Sequence, residues 1–427
     1  MIPIISASDA RALEQLLSRS QLGMEEQRRS CVEILDQVRR RGDEALRDYT
    51  ERFDGVHVVD FRVDPEEIEQ AWRGVDPEFR QTLLRAADNI RAFHERQKQQ
   101  TWMDVQPGRM LGQMVRPLAA VGVYVPGGTA AYPSSVLMNV LPAKVAGVPR
   151  IAMVTPPMPD GRIYPMTLAA AKAAGVDEVY RVGGAQAVGA LAYGTPSIPR
   201  VDKIVGPGNI YVALAKREVY GQVGIDMVAG PSEVVVVADG SANPAFVAAD
   251  LLSQAEHDRL SAAILIAVGR EVAEAVRAEV LRQVELLPRK EIALASLANH
   301  GAAVVAQDRA EAIMVANRIA PEHLELAVEE PFALLGAVRN AGAVFLGHYA
   351  PEPLGDYFAG PNHVLPTSGT ARFFSPLSVE DFVKRTSVLY YDRASLLEAL
   401  PDISRFARTE GLTAHARSVE LRGEVEV

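Results

Sequence analysis

The sequence predicts an α/β protein with two parallel β-sheets, helices on both faces of each sheet, and small helical parts at both ends of the chain. Three observations predict this fold class. Short apolar runs alternate with helical stretches from Val121 to Val219, and the alternation starts again at Glu233 and continues to Leu346. Residues 1 to about 100 show the charged, amphipathic periodicity of helices that pack as an outer layer. Strands that alternate with helices pair in parallel and are covered on both faces.

Each element is predicted from its local pattern. The strands are continuous apolar runs, such as the valines after Glu233, because a strand buried on both faces does not alternate with polar residues. The N-terminal helices are predicted at Met24 to Tyr49 and Pro77 to Gln99. The strands are predicted at Val121 to Val125, Arg150 to Thr155, Glu178 to Val182, Lys203 to Val205, Glu233 to Ala238, Ala262 to Val268, Ala302 to Ala306 and Ala343 to Leu346. The helices between them are predicted at Ser134 to Ala146, Pro165 to Ala174, from near Gly184, about Asn209 to Val219, Pro244 to His257, Glu271 to Leu286 and Ala310 to Ile319.

The composition excludes several classes of protein. Of the 427 residues, 48% are hydrophobic and 23% are charged, which is ordinary for a globular protein with a sizeable core. The net charge of -10 argues against nucleic acid or an anionic membrane as a partner, since both attract basic surfaces. The N-terminus has no signal-peptide pattern and no apolar stretch is long enough to span a membrane, so we expect a cytoplasmic protein.

Cys31 is the only cysteine, which excludes an intrachain disulfide and a cysteine-rich zinc site. It shares the apolar face of a predicted helix with Ile34, Leu35 and Val38, as expected of a small buried hydrophobic residue. The chain therefore has no obvious catalytic thiol.

Three glycine-containing loops follow predicted strands. They are Val125-Pro126-Gly127-Gly128, Gly183-Gly184-Ala185-Gln186 and Gly206-Pro207-Gly208-Asn209. None has the G-x-G-x-x-G pattern, and each alone is more typical of a tight turn than of a phosphate-binding loop. Ligands bind at the carboxyl ends of parallel strands, so the loops after Val125, Val182, Val205, Ala229 and Ala238 predict a shared ligand crevice.

Two clusters of polar residues place histidine beside other candidate ligands or bases. Gln254 and His257 lie three residues apart near the end of a predicted helix, so they share a face that could hold a metal, although a surface histidine is the commoner explanation. Glu322 and His323 are adjacent after Pro321. A histidine suits proton abstraction near neutral pH, but the local sequence alone favours a helix-start glutamate with an incidental histidine.

The segment from Gly355 to Pro366 carries Asp356 and His363 among glycine and proline, with little periodicity. Long ordered segments without regular structure are usually functional, so this is the strongest local signal in the chain. Near the C-terminus, Glu410 and His415 begin a helical stretch and by themselves suggest only a solvated surface.

Taken in order, eight stretches closely resemble histidinol dehydrogenases. They are VGVYVPGG, RVGGAQAVGALAYGT, VDKIVGPGN, IDMVAGPSEVVVVAD, DLLSQAEHD, PEHLEL, GDYFAGPNHVLPTSGTARF and EGLTAHARSVELR, from Val121 to Arg422. The resemblance covers essentially the whole chain. It implies an enzyme that oxidises L-histidinol to L-histidine through L-histidinal, in the last two steps of histidine biosynthesis, with NAD as the acceptor of four electrons.

The resemblance also implies the site residues and the domains. One zinc ion per subunit would be bound by Gln254, His257, Asp356 and His415, and Glu322 and His323 match the catalytic pair. The implied substrate contacts are Ser232, Gln254, His257, His323, Asp356, His363, Glu410 and His415, and the implied NAD contacts are Tyr124, Gln186 and Asn209.

The implied fold is two incomplete Rossmann-like domains similar to those of aldehyde dehydrogenases. We expect an N-terminal helical region packing on the second α/β unit (1–120), an NAD-binding domain (121–230), a second α/β domain with the zinc and catalytic residues (231–377), and a helical tail (378–427). In the family, the residue that matches His415 comes from the other subunit of a homodimer.

As a hypothesis, zinc holds the substrate's imidazole and amine, while His323 takes the alcohol proton as hydride leaves to NAD. Because Cys31 is an implausible nucleophile, Glu322 would activate a water that attacks the aldehyde. Two rival interpretations remain. A dehydrogenase on the same scaffold could use another alcohol, such as a sulfonated diol, or zinc could join a dimer that has no catalytic activity.

Overall fold

A computed structural model describes residues 2–17, 25–127 and 131–424. The strands are β1 (Ile4–Ser6), β2 (Trp102–Gln106), β3 (Arg109–Pro117), β4 (Ala120–Tyr124), β5 (Arg150–Thr155), β6 (Glu178–Arg181), β7 (Lys203–Val205), β8 (Gly224–Ile225), β9 (Glu233–Ala238), β10 (Ala262–Val268), β11 (Ala302–Ala306), β12 (His323–Ala327), β13 (Ala343–Leu346) and β14 (Val383–Tyr391). The helices are α1 (Ala10–Leu17), α2 (Glu25–Arg41), α3 (Asp43–Asp54), α4 (Pro65–Gly74), α5 (Pro77–Glu95), α6 (Pro133–Ala146), α7 (Pro165–Ala174), α8 (Gly184–Tyr193), α9 (Ile210–Val219), α10 (Pro244–Ala255), α11 (Arg270–Val284), α12 (Lys290–His300), α13 (Arg309–Ile319), α14 (Pro331–Leu335), α15 (Glu352–Leu354), α16 (Arg393–Thr409) and α17 (Thr413–Glu424).

Two parallel sheets confirm the predicted fold class. The first sheet has the order β6-β5-β4-β7-β8, and the second has the order β1-β11-β10-β9-β12-β13. When the strands are numbered from β4 in the first sheet and from β9 in the second, each sheet has the order 3-2-1-4-5. This is the order of a dinucleotide-binding sheet that lacks its sixth strand. All pairs in both sheets are parallel.

Each sheet is buried on both faces, which explains its continuous apolar runs. In β9, Val234 and Val236 point into one apolar cluster while Val235 and Val237 point into the other. The first sheet divides two further clusters in the same way. Alternate side chains of a strand point to opposite faces, so covering both faces with helices requires apolar residues at every position.

The N-terminal region differs from the prediction in two ways. The segment Ile4–Ser6 is a strand that pairs with β11. A short apolar run has no strong conformational preference of its own, and hydrogen bonding to the edge of β11 fixes it as a strand. Helices α2 and α3 contact α8, and α4 and α5 contact α7, so these helices pack mainly on the first unit, although α5 also contacts the turn Gly355–Ala359. Their apolar faces pack against the helices that cover the first sheet. Leu35 and Leu46, for example, lie in the hydrophobic core on one side of that sheet.

The second α/β unit also contains elements that the sequence analysis did not predict. Helix α12 and strand β12 were not predicted, and β12 lies between β9 and β13 in the second sheet. Only Ala320, Pro321 and Glu322 separate α13 from β12. Because this connection is so short, the sequence pattern did not show where the helix ends and the strand begins.

A smaller compact unit comprises residues 98–117 and 383–427. It contains an antiparallel sheet of order β14-β3-β2, followed by the paired helices α16 and α17. The expected helical tail is therefore wrong for residues 383–391. These residues are rich in β-branched and aromatic side chains, and they form a strand because β3, far away in the sequence, supplies the pairing edge.

Within the described ranges, no helix is both long enough and apolar enough to cross a membrane.

Candidate active site

Glu322 and His323 lie where helix α13 turns into strand β12. Ala320 ends the helix with a left-handed φ of 53°, an uncommon conformation for a residue other than glycine, and Pro321 prevents the helix from continuing. His323 is the first residue of β12. The pair is therefore at the start of a strand, and the helix-start interpretation is wrong.

The main chain of Glu233 holds both side chains of the pair. The Glu322 carboxylate accepts a hydrogen bond from the Glu233 N–H at 2.8 Å, and the His323 Nδ1 lies 3.1 Å from the Glu233 carbonyl oxygen. Glu233 begins β9, the neighbour of β12. The pair thus sits at the amino edge of the second sheet, opposite to the edge where parallel sheets usually bind ligands. Ser232, just before Glu233, lies at the same edge and is partly buried.

Burial and mutual charge shift the proton affinity of the pair upwards. Burial raises the pKa of Glu322 to about 8, although the charge of His323 and the Glu233 N–H oppose that rise. For His323, burial acts to lower the pKa, but the negative charge of Glu322 and the contact with Asp356 raise it overall. The Glu322 Oε2 lies 3.7 Å from the His323 Nδ1. Each of the two groups therefore binds a proton more tightly than it would in water.

Asp356 reaches the other nitrogen of His323. Its Oδ1 lies 3.5 Å from the His323 Nε2. Asp356 belongs to a π-helical turn, Gly355–Ala359, that follows α15. A Cβ at Gly355 would lie 2.7 Å from the ring of Phe345 in β13, so glycine is needed for this turn to approach the sheet.

Glu352 completes a group that could hold a metal ion. Ligand atoms of His323, Glu352 and Asp356 all lie within 4.8 Å of one another. Burial raises the pKa of Glu352 to about 7. Glu352 was not selected from the sequence, although its spacing of four residues from Asp356 is the spacing of one helical face.

Gln254 and His257 come from the end of α10 and the turn that follows it. Gln254 is fully buried, and no hydrogen-bond partner for either amide atom lies among the described residues. Burial lowers the pKa of the His257 imidazole, and the negative charge of Asp356 only partly opposes that shift. An orphaned buried amide is costly unless a ligand satisfies it.

His363 contacts the same turn. Its Nδ1 lies 3.0 Å from the carbonyl oxygen of Asp356, and burial lowers its pKa. Burial would raise the pKa of Asp356, but the contact with His323 and the charges of His363, His323 and His257 hold it below its usual value. His323, His363 and Glu352 therefore lie close to Asp356, and the charge of His257 acts on the same carboxylate.

The donor set fits zinc. It combines imidazole nitrogens with carboxylate and amide oxygens, which are ligands that zinc accepts. Three of the polar groups, the Gln254 amide, the His323 Nε2 and the Glu352 Oε2, have no hydrogen-bond partner within the described part of the chain. Glu410 and His415 lie in the smaller unit, at the end of α16 and in α17, and both are exposed.

The candidate nucleotide residues lie at the carboxyl edge of the first sheet. The Tyr124 hydroxyl, at the end of β4, accepts a hydrogen bond from the Gly184 N–H at 3.0 Å, and burial raises the pKa of Tyr124 to about 12. Gln186 is buried in α8, and its Oε1 has no partner in the described ranges. Asn209 caps α9 by accepting from the N–H groups of Tyr211 and Val212. Gly128 of the first glycine loop lies outside the described residues.

Comparison with known proteins identifies the family. The family model for histidinol dehydrogenase matches residues 17–423. The chain is 58% identical over 403 residues to the histidinol dehydrogenase of Geobacillus kaustophilus, covering 94% of this chain and 95% of that protein. This chain belongs to the histidinol dehydrogenase family.

Other members of the family agree over the full length. The histidinol dehydrogenase of Bacillus subtilis is 54% identical over 422 residues, covering 99% of this chain and 98% of that protein. The crystal structure of histidinol dehydrogenase from Elizabethkingia anophelis is 37% identical and has a TM-score of 0.94, with 99% of this chain and 98% of that chain covered. The chain is thus a dehydrogenase whose whole length belongs to one family.

Several acidic residues near His323 were not predicted from the sequence. Besides Glu233 and Glu352, the carboxyl groups of the half-buried Asp250 and the buried Glu325 interact with each other, and burial raises the pKa of both. The main-chain N–H of Glu352 donates to Glu325 at 2.7 Å. Glu325 lies two residues after His323, so the two side chains share one face of β12, and that alternation was the available signal.

Proposed function

We propose that this enzyme oxidises L-histidinol to L-histidine through L-histidinal, with two molecules of NAD as hydride acceptors. The observation that carries the proposal is the buried pair Glu322 and His323, held beside Asp356 and unsatisfied polar groups in a histidinol dehydrogenase chain.

We assign zinc to Gln254, His257, Asp356 and His415. When bound, zinc supplies a fixed charge that anchors the imidazole and the amine of the substrate. The orphaned amide of Gln254 and the convergence of His257 with Asp356 support this assignment. Glu352 contacts the same group of atoms and offers an alternative carboxylate for the ion.

His323 acts as the base of the alcohol step. Its ring is fixed by the Glu233 carbonyl oxygen on one side and lies 3.5 Å from Asp356 on the other. In its neutral form, a histidine held in this way accepts the hydroxyl proton as hydride leaves the carbon for NAD.

Glu322 acts in the aldehyde step. Cys31, the single thiol of the chain, is buried in α2 and its side chain contacts the main chain of α9, so it does not supply a covalent route. Glu322 accepts a proton from the water that adds to the aldehyde, and the resulting hydrate loses the second hydride. A carboxylate with a raised pKa is a stronger base than one in water, which favours this role.

NAD is assigned to the carboxyl edge of the first sheet, at Tyr124, Gln186 and Asn209. These residues end or follow strands on both sides of the point where the strand order reverses. Because the Tyr124 hydroxyl already accepts from Gly184, its own proton is available for donation to a ligand.

The substrate contacts are assigned to Ser232, His363 and the zinc-site residues, with Glu410 and His415 supplied by the partner subunit of a homodimer. Exposed apolar side chains on the smaller unit support such an interface. They include Val105, Leu389 and Phe406, each more than 70% exposed. We place the protein in the cytoplasm, in agreement with a chain that has a single cysteine.

One experiment tests the proposal as a whole. Purified enzyme is supplied with histidinol and excess NAD, and NADH is counted against substrate consumed while bound zinc is quantified. Two NADH per histidinol, with loss of activity on chelation, is the expected result. A single NADH, or equal turnover of a sulfonated diol, would refute it, and a chelator that dissociates a dimer without any NADH production would indicate a non-catalytic assembly.

A further inference from the structure

Lys216 in α9 and Asp226 after β8 form an ion pair beneath the carboxyl edge of the first sheet. Both side chains are only 2% exposed. Removing two charges from water costs several kcal/mol per ion, and their mutual attraction often does no more than offset that cost. Stability alone is therefore a weak reason for such a pair, and its contacts indicate another role.

The two charges hold both main-chain groups of one residue, Gly206. The Asp226 Oδ2 accepts from the Gly206 N–H at 2.8 Å, and the Lys216 Nζ donates to the Gly206 carbonyl oxygen at 2.9 Å. The Asp226 Oδ1 accepts from the N–H of Met227 at 2.7 Å, which fixes the carboxylate itself. Hydrogen bonds to charged groups are stronger than those between neutral groups, so the peptide groups on both sides of Gly206 are firmly oriented.

Gly206 occupies the position where the first sheet reverses its strand order. It follows β7 with a φ of +110°, and a Cβ there would lie 2.1 Å from the carbonyl oxygen of Tyr124 in β4. The glycine loop that it starts ends at Asn209, the N-terminal cap of α9. Since α9 also carries Lys216, the loop is held at both ends by the same helix.

We propose that Lys216 and Asp226 are positioning residues for the dinucleotide site. They fix the loop from Gly206 to Asn209 against Tyr124, so that Tyr124 and Asn209, two of the three residues assigned to NAD, are held at one separation before the cofactor arrives. Neither charged side chain touches the cofactor. A site fixed in advance binds more tightly because less conformational freedom is lost on binding. This inference rests on the proposed NAD site.

The test is a double variant, Lys216→Met with Asp226→Asn, which removes both charges and so leaves no lone buried ion. The asparagine oxygen still accepts from the Gly206 N–H, whereas the donor to the Gly206 carbonyl is lost. We expect the Kd for NAD to rise at least tenfold, while the zinc content and the KM for histidinol stay within about twofold of wild type. A purely structural pair would shift all three quantities together or none of them.

The matched control uses another ion pair of the same sheet. Arg150 and Glu178 lie 3.1 Å apart at the amino ends of β5 and β6, away from the glycine loop. The variant Arg150→Met with Glu178→Gln should leave the Kd for NAD unchanged. An equal increase in Kd in this control would overturn the inference, because any lost ion pair would then have the same effect.

The remaining outcomes are also decisive. A folded Lys216→Met/Asp226→Asn enzyme with an unchanged Kd for NAD overturns the positioning role while the proposed function stands. A wild-type enzyme that binds no NAD overturns both. If the double variant does not fold, Asp226→Glu keeps the pair and moves its carboxylate by one methylene; a selective rise in the Kd for NAD supports the inference, and an unchanged Kd refutes it.

Discussion

The exchange Glu322→Gln should separate the two oxidation steps, because it removes the proposed base and keeps the contact that holds the side chain. The Glu322 carboxylate accepts from the Glu233 N–H at 2.8 Å, and a glutamine oxygen accepts the same bond. The amide cannot take a proton from water. The variant should therefore fold as the wild type does and lose the chemistry assigned to the aldehyde step.

The expected magnitudes follow from the contacts of each base. A positioned general base contributes about 10²- to 10⁴-fold, and a carboxyl whose pKa is about 8 is well matched to neutral pH, so we expect the aldehyde step to slow about 10³-fold. That loss corresponds to about 4 kcal/mol of transition-state stabilisation. His323 keeps its contacts with Glu233 and Asp356, so the alcohol step should slow by about tenfold or less.

Stopped-flow measurement of NADH distinguishes the steps when histidinol and histidinal are supplied in separate experiments. With histidinol, the variant should form one NADH per site rapidly and the second one slowly. Glu330→Gln is the matched control, since Glu330 is 72% exposed and lies near the other end of β12. Equal slowing of both steps in the Glu322 variant would refute the assignment of water activation to this residue.

Three further predictions concern other residues. His415→Ala should lose zinc but keep its affinity for NAD, and metal analysis that found one zinc per subunit would rule out this ligand. Burial raises the pKa of Cys31 to about 11, so the thiol should resist alkylation at pH 8, and Cys31→Ala should keep both oxidation steps; loss of the aldehyde step alone would point to a thiol intermediate. Burial raises the pKa of Asp54 to about 6, and its Oδ2 has no partner in the described residues, so its ionised form opposes folding. This penalty is absent below the unfolded pKa of about 4, grows as pH rises through 6, and is complete above it. Asp54→Asn should therefore raise the free energy of unfolding by about 1–2 kcal/mol at pH 8, after allowance for its partial exposure, and leave it unchanged near pH 4; an equal gain at both values in urea titrations would contradict the cause.

The fold class could be predicted because it depends on local patterns. Strands such as β9 and β10 are apolar at nearly every position, and the helices between them have clear boundaries, for example Asn243 followed by Pro244 at the start of α10. Elements whose conformation depends on a distant partner were missed. Strand β1 needs the edge of β11, and β14 needs β3.

The candidate site was only partly predictable for a similar reason. Asp356 and His363 stood out locally, because an ordered segment without periodicity carried both. Glu322 and His323 gained their importance only from family resemblance, since an adjacent pair has many structural explanations. Glu233 had no signal at all, because its contribution comes from its main chain at the start of a neighbouring strand.

The sequence by itself determined the two α/β units, the absence of a usable thiol and, through ordered motifs, the family. Only the tertiary structure decided that Glu322 and His323 lie at the amino edge of the second sheet, and that the N-terminal helices α2 to α5 pack on the first unit. The physical reason is that strand and helix patterns are set within a few residues. Burial, the raised pKa of Glu322 and the approach of Asp356 to His323 arise from segments that meet only when the sheet has formed.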